Sequence, residues 1–176
     1  LGGQRPGLLE ENEVKEQSEA KVVRIGFTCG TFDLLHAGHV LMLAEAKSVC
    51  DHLIVGLQID PSIDRSNKHR PVQTLEERKL QLDAIKYVDE IMTYNTEEDL
   101  HALLKLITPS IRIVGADHQG MSFTGDDLVI PIHFNRRDHD WSTSDLRNRV
   151  YQEEFRRRVL DGTDEPGTGY RNETWN

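Results

Sequence analysis

The sequence predicts an α/β fold, a doubly wound parallel sheet of about five strands with helices on both faces. Three observations carry this. Short β-branched and aromatic blocks alternate along the chain with segments whose apolar residues recur at helical spacing. One block, Leu53–Ile59, is apolar almost throughout, as a strand covered on both faces must be. Glycine, histidine, basic and hydroxyl residues gather just after the strand blocks, where sheets of this kind bind their ligands.

The elements follow in order. Val22–Cys29 (VVRIGFTC) predicts the first strand. His39–Ser48 predicts a helix with Val40, Leu43 and Ala44 on one face. Leu53–Ile59 is the second strand. Thr74-Leu75-Glu76-Glu77 is a capping box, in which Thr and Glu side chains satisfy each other's free backbone N–H groups, and it opens a helix to about Lys86. Val88–Tyr94 gives a third strand. Thr96 caps a further helix bearing Leu100, Leu103, Leu104 and Ile107 on one face, closed by Pro109. Ile111–Gly115 and Val129–Phe134 are the last strands, and Pro131 assigns the second of them to a sheet edge. Ser142 to about Val159 is the last helix, with Asp145 in its first turn, where the helix dipole favours an acid.

The 176 residues suit one domain, expected over 21–160. The polar, acidic lead-in 1–20 and the Gly- and Asp-rich tail 161–176 are expected to be flexible. The net charge of −9 argues against a general nucleic-acid surface, although a cleft can still be locally basic. No block approaches the roughly 20 apolar residues of a membrane helix. No secretory start is visible, so the expected location is the cytoplasm. Cys29 and Cys50 lack metal-site spacing and are expected to be free thiols. Asn172-Glu173-Thr174 matches a glycosylation acceptor, taken as a chance match without a secretory signal.

The segment GTFDLLHAGHV (Gly30–Val40) joins the first strand to the first helix. Gly30 permits a tight turn and close approach of a ligand to the backbone. His36 and His39, with Gly38 between them, fall at the helix N-terminus. Free N–H groups and a partial positive charge attract phosphate there. Two imidazoles at that end can donate to charge that develops during phosphoryl transfer. The same pair can also be ordinary capping and core residues, or half of a zinc site. Further on, Lys68, His69 and Arg70 precede the capped helix, and Arg78 lies one turn into it. Asp117 follows the fourth strand, and RRDHDWSTSDLR puts Arg137 ahead of Ser142, Thr143 and Ser144 at a helix start. Each of these also fits a plainer role as a solvated charge or a helix cap.

Together these four elements resemble the cytidylyltransferase-like nucleotidyltransferase superfamily, over roughly residues 22–150. The carrying motifs are G-T-F-D-x-x-H-x-G-H, Glu77-Arg78, the Asp117 loop and the R-x-x-x-x-S-T-S run from Arg137. The resemblance implies a Rossmann-like fold and transfer of a nucleoside monophosphate from a triphosphate to a phosphorylated acceptor, with Mg²⁺ on the triphosphate. It implies His36, His39 and Arg78 as catalytic residues, with Arg78 a contact to the triphosphate or to the acceptor phosphate. Nucleotide contacts fall to Thr31, Phe32, His36, Gly38, His39, Lys68, Asp117, Arg137, Ser142, Thr143 and Ser144. Asp33, Arg70 and Lys86 are placed at the acceptor, and Asp89 in structure around the site. His118, His133 and His139 have no counterpart in the pattern and are taken as ordinary or acceptor-pocket histidines. The nearest likeness is to glycerol-3-phosphate cytidylyltransferases, which implies CTP, a glycerol 3-phosphate-like acceptor and a homodimer. Lys86 stands where those enzymes usually have Arg, and the helix around Leu100 and His101 lacks their acceptor lysine. Both departures weigh against glycerol 3-phosphate itself. The alternatives are ATP use, as in resembling enzymes that make ADP-heptose, FAD or coenzyme A precursors, and a nucleotide-binding protein without catalysis.

Overall fold

The computed structural model describes residues 22–162. The expectations for the lead-in, for the glycosylation pattern and for nearly all of the tail lie outside the described residues. Five strands, β1 (Ile25–Gly30), β2 (His52–Gln58), β3 (Glu90–Tyr94), β4 (Ile111–Gly115) and β5 (Ile132–Asn135), form one sheet in the order β3-β2-β1-β4-β5. Every pairing is parallel. The helices are α1 (Ala37–Ser48), α2 (Leu75–Asp83), α3 (Glu97–Ile107) and α4 (Thr143–Leu160). This is the expected Rossmann-like arrangement.

Both faces of the sheet are covered. Leu43 and Ala46 of α1 and Leu82 of α2 pack with Leu53, Val55, Leu57 and Ile113 on one face. Leu100 and Leu104 of α3 pack with Phe27, Ile54 and Tyr94 on the other, with Leu103 and Ile107 beside them. The apolar stripe expected of α3 is therefore the one that buries. That of α1 is rotated: Leu43 is buried, but Gly38 and Ala46 complete the stripe, and Val40 and Ala44 are only half-buried.

Element ends shift for local reasons. Val22 and Val23 are exposed, so β1 begins at Ile25. The helix capped by Thr74 stops at Asp83, short of Lys86, because the chain turns through Ala84 and Ile85 to reach β3. Pro131 has no N–H to give; its carbonyl accepts from the Arg112 N–H at 2.8 Å, and β5 starts directly after it at the sheet edge.

The crossover from β3 back to β4 puts the topological switch point between β1 and β4. These two strands pair only at Gly26–Ile111 and Phe27–Arg112. Beyond that pairing their C-terminal halves part, and the opening they leave is where the site lies.

Candidate active site

The turn after β1 is strained and firmly held. Among the described residues, three non-glycine residues have positive φ, and Phe32 (50°) and Leu34 (49°) both lie here. Such backbone costs energy and persists only where its surroundings fix it. Asp33 is buried, and its carboxylate accepts from the Val72 and Gln73 N–H groups at 3.1 and 2.9 Å and from Arg147 of α4. Burial pushes the Asp33 pKa up, but these donors outweigh it and hold the carboxyl below the usual range. Leu34 N–H donates to the Gln73 side chain at 2.7 Å.

Arg78 grips the same turn from behind. Its guanidinium is 2% exposed and donates to the carbonyls of Thr31 (2.8 Å), Gln58 (2.7 Å), Ile59 (2.7 Å), Gln73 (3.2 Å) and Thr74 (3.3 Å). Its donors are directed at backbone oxygens. The expectation that Arg78 contacts phosphate is therefore corrected: it ties the ends of β1 and β2 to the start of α2.

His36 and His39 form a capping box of their own at α1. His36 is the N-cap and its Nδ1 accepts from the Gly38 N–H at 3.1 Å, while His39 Nδ1 accepts from the His36 N–H at 3.3 Å. A neutral imidazole that accepts at Nδ1 carries its proton on Nε2. Both rings, 4.0 Å apart between centroids, thus hold an Nε2–H donor. Both are also kept neutral at pH 7. Burial, reinforced by His36, lowers the His39 pKa to about 4. Burial and then His139, Arg137 and Arg149 lower that of His36. Gly38 is required, because a Cβ there would lie 2.9 Å from the His36 ring and 2.8 Å from that of His139.

The N-terminus of α4 converges on the same point. Ser142 caps it by accepting from the Asp145 N–H at 3.0 Å. Thr143 Oγ1 donates to the Asp33 carbonyl at 3.2 Å and lies 3.5 Å from His36 Nε2. Two helix N-termini and two imidazole donors therefore face one cleft, an arrangement suited to a chain of phosphates.

Two cavities meet at the switch point. The larger, about 460 Å³, brings together His36, Gly38, His39, Lys68, Asp117, Arg137, Ser142 and Thr143. The smaller, about 370 Å³, opens between the separated ends of β1 and β4; Thr31 and His118 line it. Gly30, Met42, Lys68, Gly115 and Asp117 line both.

Other expected site residues lie elsewhere. Phe32 lines neither cavity; its buried ring lies 5.4 Å from that of His39. Ser144 is exposed on α4 and lines neither. Arg70 stands in solvent, 3.9 Å from Asp60. Asp33 is committed to Val72, Gln73 and Arg147, so its acceptor assignment is corrected. Lys86 precedes β3, at the end of the sheet away from the cleft, with its ammonium 5.0 Å from the Tyr87 ring centre; it too is corrected. Asp89 sits at that far end, accepting from Leu53 N–H at 2.6 Å and Lys47 at 2.5 Å. It organises the base of the sheet and not the site.

The structure adds residues that the sequence did not place at the phosphates; His139, among them, reads in sequence as an ordinary or acceptor-pocket histidine. Asn135, Arg136, His139 and Trp141 line the larger cavity. Gln58, Arg65, Tyr94, Glu97, Arg112 and Thr124 line the smaller. There Glu97 bridges Arg65, at 3.3 Å, and the Thr124 hydroxyl, while Gln58 also receives Arg65. Arg112, a charged residue inside the apolar block IRIV, was the one visible signal of this floor. Among the described residues, no helix is long and apolar enough to cross a membrane.

Comparison with known proteins agrees with this fold. The bifunctional protein HldE of Gluconacetobacter diazotrophicus is 38% identical over 133 residues, covering 73% of this chain and 27% of that protein. That of Wolinella succinogenes is 38% identical over 118 residues, covering 66% of this chain and 25% of the relative. The chain thus spans about a quarter of the length of these curated relatives. Among solved structures, a lipopolysaccharide core biosynthesis protein from Thermoplasma volcanium has the same fold, with a TM-score of 0.55 at 24% identity, over 66% of this chain and 100% of that one. So does a bifunctional NMN adenylyltransferase/ADP ribose pyrophosphatase from Francisella tularensis, with a TM-score of 0.53 at 14% identity, over 74% and 42% of the two chains. The cytidylyltransferase-like family profile matches residues 27–149, and with the paired histidines at the switch point the chain belongs to that family of nucleotidyltransferases.

Proposed function

We propose that the chain transfers AMP from ATP to a phosphorylated sugar and releases pyrophosphate. An acceptor phosphate oxygen attacks the α-phosphorus, the bond from that phosphorus to the bridging oxygen of the β-phosphate breaks, and the electron pair leaves on pyrophosphate. A sugar phosphate is already anionic near neutral pH, so the reaction needs alignment and charge neutralisation more than a strong base. The observation that carries the reading is the histidine capping box. Its backbone contacts favour an Nε2–H donor on each ring, and these are suited to the charge that builds on the α-phosphate oxygens. Arg137, Ser142 and Thr143 are suited to the β- and γ-phosphates, and Lys68, on the wall shared by both cavities, to the phosphate chain between donor and acceptor.

The smaller cavity is our candidate for the acceptor. Its Gln58, Arg65, Glu97 and Thr124 offer donors and acceptors for several hydroxyls, more than a three-carbon polyol presents. ATP is preferred to CTP because relatives at 36–40% identity are HldE proteins and none of those named above is a glycerol-phosphate cytidylyltransferase. This favours the ADP-heptose type among the resembling enzymes. Mg²⁺ enters with the triphosphate and would offset charge on its oxygens. Asp117, a carboxylate on the shared wall with no side-chain hydrogen bond among the described residues, is the donor suited to hold it.

The test is kinetic. His36→Ala and His39→Ala are expected to lower kcat about 10²–10³-fold with far smaller changes in KM for the nucleotide. Near-wild-type turnover in a folded His39→Ala protein would overturn the assignment.

A further inference from the structure

We propose that His139 is a third imidazole of the phosphate cleft and binds the pyrophosphate portion of the triphosphate through Nε2. The proposal rests on the nucleotidyl-transfer reading above. It concerns the leaving-group side of the cleft, where no histidine was expected.

His139 lies in the loop between β5 and α4, three residues ahead of the Ser142 cap, and lines the larger cavity together with the α1 histidines. Its Cε1 would lie 2.8 Å from a Cβ at Gly38, so the glycine admits this ring as well as that of His36. The ring is stacked on Trp141, with centroids 5.1 Å apart and planes 26° apart. That contact fixes its plane before any ligand arrives and reduces the entropy lost on binding. A histidine kept only for structure would be expected to use its polar atoms on the protein. Here, among the described residues, Nδ1 is buried without a hydrogen-bond partner and Nε2 makes no hydrogen bond to the protein, so neither ring nitrogen is spent on the fold. The ring is also electrostatically coupled to the site: after burial, His139 is the largest cause of the lowered His36 pKa.

The chemistry divides along the phosphate chain. His36 and His39 face the α-phosphate from the first turn of α1. His139 enters from the α4 side, beside Arg137 and Ser142, and serves the β-phosphate oxygens that gain charge as the bridging bond breaks. The ligand class is pyrophosphate, alone or within a nucleoside triphosphate, irrespective of base.

The experiment is calorimetric titration of magnesium pyrophosphate, and separately of AMP, into wild type, His139→Ala and His139→Gln. Thermal unfolding midpoints serve as the folding check. A charge-assisted hydrogen bond is worth roughly tenfold or more in affinity, so His139→Ala is expected to raise the Kd for pyrophosphate by about that factor. His139→Gln, which keeps a donor, is expected to recover part of the loss. AMP, which has no β-phosphate, is expected to bind all three alike. Unchanged pyrophosphate affinity in His139→Ala overturns the proposal, and so does an equal loss for AMP, which would indicate a collapsed cleft. A wild type that binds neither pyrophosphate nor AMP defeats the nucleotidyl-transfer reading itself. Binding by wild type with no effect of His139→Ala defeats this inference alone.

Discussion

At the scale of single residues, the site depends on what each polar atom is already bonded to. His36 and His39 direct Nδ1 at backbone N–H groups and so carry their proton on Nε2, that of His36 3.5 Å from the Thr143 hydroxyl. Arg78 looks in sequence like a phosphate ligand, yet its guanidinium is taken up by backbone carbonyls. Nothing in the run LEERK distinguishes the two, because a guanidinium suits carbonyl and phosphate oxygens alike. The neutral state of His39 has a consequence for pH. Its pKa is about 4 in the fold against 6.5 when unperturbed, so between those values the unfolded chain binds more protons. Its contribution to stability is full above about pH 6.5 and is lost as the pH falls towards about 4. Denaturant unfolding across that range should show stability falling by up to about 1.4 kcal/mol per pH unit from this group. His39→Asn should flatten the slope; an unchanged slope would mean that His39 is not held neutral.

At the scale of elements, two helix starts and two strand ends are pinned together. Arg78 binds the turn after β1 to the end of β2, and Asp33 binds the same turn to the loop before α2 and to α4. Replacing Arg78 with Met should therefore act first on stability. Several buried carbonyls at roughly 1 kcal/mol each suggest a loss of about 3 kcal/mol, measurable by chemical denaturation. Full stability with a KM for the triphosphate raised tenfold would return Arg78 to the phosphates. Much of this level was legible in sequence. The Thr74 capping box, the Thr96 and Ser142 caps and the stripe on α3 are local patterns, and they formed as expected. The buried stripe of α1 was misread by part of a turn, because helical spacing does not say how a helix rolls onto a sheet. Of the floor of the smaller cavity, only the charge of Arg112 inside an apolar block stood out in sequence. Cys29 and Arg112 lie within strands, and they line a cavity only because β1 and β4 separate beyond Phe27.

At the scale of the molecule, function follows from strand order. The reversal between β1 and β4 opens one crevice, into which the N-termini of α1 and α4 both point, with two adjoining cavities. The phosphate side of that crevice explains why so many of its residues stood out in the sequence as motifs. The specificity side is built from backbone and from scattered polar side chains, so neither base nor acceptor could be read from spacing. The proposal of ATP over CTP rests on the likeness to HldE proteins and not on the motif. The most direct measurement is the initial rate of pyrophosphate release with Mg²⁺, comparing ATP and CTP, each with a heptose phosphate and with glycerol 3-phosphate. The account predicts that ATP with the sugar phosphate gives the highest rate by at least tenfold; a highest rate for CTP with glycerol 3-phosphate would contradict it.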